Sequence, residues 1–136
     1  MAVTVYKDDL TVGPSGKHET RELTIACVGA ASGGAIANTD LCAISGLKAK
    51  LQGWGLWAVE TIPGTPGPTD DSDVYLKTAD ATDMLAGNGV DQLDNAVNRF
   101  IYPPVSPMPI GPTLTLDVDG QSVNSAAYKI KLYLAR

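Results

Sequence analysis

The 136-residue chain has one histidine, two cysteines and one phenylalanine, and its basic residues are not clustered. Zinc sites built on several histidines are excluded, and His18, beside Glu19, reads as a solvated loop residue. Cys27 and Cys42 fall on segments patterned as strands and read as small buried apolar residues, with nothing to indicate a disulfide. Ser32 precedes Gly33 and Gly34 without the upstream glycine of a nucleophile elbow, and Gly87, Asn88 and Gly89 lack the third glycine and the Lys-Ser/Thr pair of a phosphate loop. No apolar run approaches the roughly 18 residues needed to span a bilayer, and no basic region leads into an apolar N-terminal stretch. The expectation is a protein made in the cytoplasm, with no membrane contact, no catalytic residues and no cofactor.

Acidic residues outnumber basic ones by 15 to 10, and the excess is local. Residues 60–119 carry ten acids against only Lys77 and Arg99, whereas residues 1–59 balance. An acidic surface repels phosphate backbones, so direct nucleic-acid binding is not expected. A chain of this length buries about 65 to 70% of its unfolded surface, enough for one core, so residues 1–136 are expected to form one domain. Its 14 glycines and 9 prolines suit many short strands better than long helices.

Period-two patterning is clearest near the end. Leu114, Leu116 and Val118 alternate with polar residues, and Tyr128, Ile130, Leu132 and Leu134 alternate with Lys129, Lys131 and Tyr133. Leu23, Ile25 and Cys27 do the same in residues 21–28, and further strands are expected at 2–6, 35–44, 47–51, 56–62 and 73–78. The glycines around Trp54 predict a bend that lets one long strand serve two sheets. Residues 88–101 fit helix and strand equally, with Asn88 as a helix N-cap in the first case. Prolines keep 102–109 out of any central strand and make it an extended crossover. The segments at 114–118 and 128–134 should share one core, opposite Leu23, Ile25, Leu47 and Leu51. Seven or eight strands with at most one short helix predict an all-β antiparallel β-sandwich, for which a jelly roll is one arrangement.

Two carboxylate groups deserve weighing as cation sites: Asp70, Asp71 and Asp73 in a Pro/Gly-rich loop, and Asp80 with Asp83. Neither has EF-hand register, and both read as solvated acidic loops. Trp54, Trp57 and Tyr75 form a candidate carbohydrate platform, weighed against burial in a core or at a subunit interface.

Residues 73–90, then 111–118, then 120–134, with the strand at Leu23 and its following Gly-rich turn, resemble small structural proteins of tailed bacteriophages over about residues 20–135. The chain departs from that pattern at 80–87, where richer glycine would be expected. The resemblance implies a non-enzymatic, multi-copy virion component of the head-to-tail collar or neck, or a capsid decoration protein. Its implied partners are other virion proteins, portal or neck or major capsid protein, and further copies of itself. Contacts to adjacent subunits are expected at residues 2–6 or in the loop at 63–68.

Overall fold

The computed structural model describes residues 2–12 and 19–136. At its centre lies β9 (Ala127–Ala135), paired antiparallel on one side with β2 (Glu19–Val28) and on the other with β4 (Gly55–Pro63). The alternation read from the sequence is the alternation of burial: Tyr128, Ile130, Leu132 and Leu134 are buried, and Lys129, Lys131 and Tyr133 point the other way. Leu23 and Ile25 are the direct cross-strand partners of Leu132 and Ile130. They therefore stand beside those residues in one sheet, not opposite them as the sequence suggested. β1 (Ala2–Val12) extends the sheet beyond β2, while β6 (Arg99–Ile101) and β7 (Met108–Pro109) pair with β4 on the far side.

A second sheet has three strands in the order β3 (Thr39–Asp40), β8 (Thr115–Asp119) and β5 (Asp73–Lys77). Val74 and Leu76 pair with Val118 and Leu116, and these residues join Leu23, Ile25, Ile130 and Leu132 in one continuous core. The fold is thus an all-β antiparallel sandwich, divided six strands to three. Its last two strands, β8 and β9, lie in different sheets. Gln121 anchors the crossing between them: its buried amide donates to the carbonyl of Gly34 at 2.6 Å and accepts from the backbone N–H groups of Thr69 and Val123. Gly34 is required there, because a Cβ would lie 2.4 Å from the Val123 carbonyl oxygen.

Four local expectations are corrected. Residues 47–51 are not a strand, because Lys48–Leu51 forms one turn of α-helix, α1. Leu47 and Leu51 are fully buried one turn apart while Ala49 is exposed, which is a period of four rather than two. Gly53 takes positive φ just after that turn, and β4 then stays within a single sheet. In 35–44 only Thr39–Asp40 is strand; Asp40 accepts from the N–H groups of Cys42 and Leu114, which closes a 3-10 turn at Leu41–Ala43. Residues 88–91 are turn, Leu93 bridges to Ser72 and only Arg99–Ile101 is strand, so the helical alternative fails: Asn88 caps no helix but donates to the Tyr102 carbonyl at 2.9 Å.

The first strand runs to Val12, beyond the expected stop at Tyr6, and its Asp8 forms ion pairs at 3.0 Å with Arg21 and Lys50. Pro66 accepts from the N–H of Ala127, and Gly64 donates to that residue's carbonyl, which ties the Pro/Gly-rich loop to the start of β9.

Leu132→Ala removes a fully buried side chain from the central strand and should cost about 2 to 5 kcal/mol, through lost transfer energy and the cavity left behind. Lys131→Ala, on the outer face, loses one partly exposed ion pair to Glu22 and should cost no more than about 1 kcal/mol. Equilibrium denaturation of the two variants checks the order; the reverse order would mean a strand register off by one.

Candidate functional site

Among the described residues, the outer face of the six-stranded sheet carries the most exposed aromatic cluster. On β4, Leu56 pairs with Leu134 but Ala58 pairs with Tyr133, leaving Trp57 as the extra residue of a bulge. That bulge sends Trp57 out, 40% exposed, with its ring edge-on to Tyr133 at 5.6 Å. Phe100 on β6 pairs across from Glu60, 48% exposed, and its ring lies 5.7 Å from Tyr133. Tyr102, just past β6 and 56% exposed, stacks on Phe100 at 6.2 Å. Val97 and Val105 are also exposed.

Hydrogen bonds hold Tyr133 in place on this face. The Tyr133 hydroxyl donates to Glu60 Oε1 at 2.8 Å, and Asn98 Nδ2 donates to Glu60 Oε2 at 3.2 Å. Burial, then the Glu60 carboxylate, push the Tyr133 hydroxyl well above its ordinary pKa, so it remains a donor at neutral pH. Lys131 Nζ sits 5.4 Å from the Tyr133 ring and 3.7 Å from Glu22.

The residues suggested as a sugar platform are dispersed. Trp54 is 2% exposed, with the guanidinium groups of Arg21 and Arg136 lying 4.7 and 4.4 Å from its ring. Tyr75 lies on β5 in the smaller sheet, and only Trp57 is on the aromatic face. Phe100, Tyr102 and Tyr133, its other members, were not singled out from the sequence. Tyr133 did occupy an outward position of the clearest strand, but its meeting with Trp57 and Phe100 depends on the order of β9, β4 and β6.

The carboxylates regroup as well. Asp70 and Asp71 approach Asp94, with oxygens from all three within 4.8 Å of one another. Arg99 supplies the cation there, 2.8 Å from Asp94 and 3.6 Å from Asp71. N–H groups of Ala96 and Val97 bond to Asp94, and these bonds above all hold its pKa below the usual carboxylate range. Asp73 instead pairs across from Asp119. Asp119 is shifted upward, chiefly by a shared hydrogen bond with Asp117 and by burial. Asp83 closes a turn by accepting from the N–H groups of Leu76, Leu85 and Gly87.

Cys27 and Cys42 are free and buried. Burial pushes the Cys27 thiol up to about 12, and burial first, then Asp40, raises Cys42. Neither is an activated nucleophile at neutral pH. His18 and the loop at 13–18 lie outside the described residues. A depression of about 170 Å³ on the outer face is lined by Ala26, Val28, Ile62, Ala127 and Lys129 among others, and a shallow groove of about 400 Å³ by Trp54, Pro107, Pro109 and Ile110. No carboxylate lines either. Among the described residues no helix is long and apolar enough to cross a membrane.

No protein-family model, no curated protein and no solved structure matches the chain.

Because the Asp94 pKa is depressed in the folded state, its contribution to stability is present above the ordinary carboxylate pKa and is lost as pH falls through the folded value. Asp94→Asn should therefore flatten the acid limb of stability below about pH 4 and lower stability at neutral pH. Thermal melts of both proteins from neutral to acid pH check the sign.

Proposed function

We propose that this protein is a non-enzymatic structural component of a tailed-phage particle, present in many copies at the neck or on the capsid, that works through protein–protein contacts. The observation that carries this reading is the exposed cluster of Trp57, Phe100, Tyr102 and Tyr133 on one face of the larger sheet. Large aromatic side chains are enriched in protein interfaces, where they bury much area at little entropic cost, and a contiguous exposed apolar patch is uncommon without a partner. The likeness of strands and turns to phage structural proteins points in the same direction, and collar and decoration roles share these requirements.

Glycan binding is the second reading, favoured by the exposure of Trp57. The ring orientations weigh against it. Phe100 and Tyr102 lie nearly parallel at 13°, but Trp57 and Tyr133 are inclined by 67° and Phe100 and Tyr133 by 42°, so the four rings do not form one flat platform.

Mass spectrometry of purified particles should find the protein in multiple copies. Trp57→Ala and Phe100→Ser should keep cooperative unfolding yet reduce incorporation several-fold. Absence of the wild-type protein from intact particles would sink the virion reading, and a glycan-dependent change in indole emission would favour the second one.

A further inference from the structure

We propose that the aromatic face docks a cationic surface of a partner protein, with arginine side chains laid over Trp57, Phe100 and Tyr102. This deepens the reading above and rests on that face being a protein contact. An aromatic ring attracts a cation to its face, most strongly for Trp, and a guanidinium stacks flat on it at little dehydration cost. The chain uses the same interaction internally, where Arg21 and Arg136 lie over Trp54 and Lys131 over Tyr133.

The surroundings select the same sign, since Lys131, the cation beside Tyr133, is matched by Glu22. Glu60 sits between Tyr133 and Asn98 within the cluster. Next to Phe100 in the chain, Arg99 is matched by three grouped carboxylates, Asp70, Asp71 and Asp94, which leaves that border net negative. Tyr102 is tied through Asn88 to the turn that ends in the exposed Asp91. An arginine-bearing surface meets both the rings and the net negative field of the acidic border, whose Glu60 and Asp94 carboxylates already accept internal hydrogen bonds. A second copy docked face to face would set acidic border against acidic border, the chain's own basic residues are not clustered into a surface that could dock otherwise, and a nucleic acid would be repelled outright. The occupant is therefore a basic segment of a different protein.

The test uses the full chain and three amidated hexapeptides in which glycine alternates with arginine, lysine or glutamate, followed by indole emission and titration calorimetry. The arginine peptide should bind best and the glutamate peptide not at all. Trp57→Ala and Phe100→Ser leave the net charge unchanged, so they separate ring stacking from general attraction to an acidic protein. Each should weaken arginine-peptide binding by about two- to fivefold. Tyr102→Ala, further out on the face, provides the same readout if either variant unfolds. Arginine-peptide affinity equal in wild type and variants, or no binding by wild type, overturns the cationic partner. If those variants nonetheless drop out of particles, the face remains a protein contact and only the partner's chemistry is wrong.

Discussion

The pairing of β9 with both β2 and β4 is the constraint on which the rest of the structure depends. Residue by residue it sets Leu23 against Leu132, Ile25 against Ile130 and Val59 against Leu132, so three strands turn one continuous apolar surface inward. Side chains alternate strictly along a strand, so the same register obliges Glu22, Lys131, Glu60 and Tyr133 to share the outer face. Core and candidate site are two consequences of one set of hydrogen bonds. A slip by one residue would bury the lysines and expose the leucines.

The smaller sheet covers only part of the larger one, and other devices close what is left. Toward the Trp54 end, α1 contributes Leu51 to the core and Lys50 to the ion pairs around Asp8, while two arginines pack on the indole. At the crossing from β8 to β9, Gln121 satisfies its buried amide on three different backbone segments. A buried polar group without partners costs about 1 to 3 kcal/mol, so such a fully bonded amide holds one loop arrangement against alternatives.

The chemical character of the molecule is unevenly divided. Its thiols are buried, Asp83 and Asp94 are engaged by backbone N–H groups, and the cluster at Asp94 already holds a guanidinium. The aromatic face is the exception, since Trp57, Phe100 and Tyr102 stay largely accessible beside a Tyr133 whose hydroxyl is bonded to Glu60. The bulge in β4 turns Trp57, the largest ring of the group, outward.

Short-range pattern was enough to read the all-β class, the burial of both cysteines and the inward positions of 114–118 and 128–134, because alternation at period two reports directly which side of a strand is dry. It failed at 47–51, where Leu47 and Leu51 satisfy periods of two and four alike and Ala49, exposed in the structure, was the only discriminator. It also left open which strands are neighbours. Trp57, Phe100 and Tyr133 are far apart in the chain and meet only because β4 lies between β9 and β6, whereas Trp54, three positions from Trp57, goes to the interior. Local sequence thus determined the faces of individual strands, while tertiary structure decided their order and therefore the site, because backbone pairing between strands carries little information about which partner a strand will take until the shared core selects it.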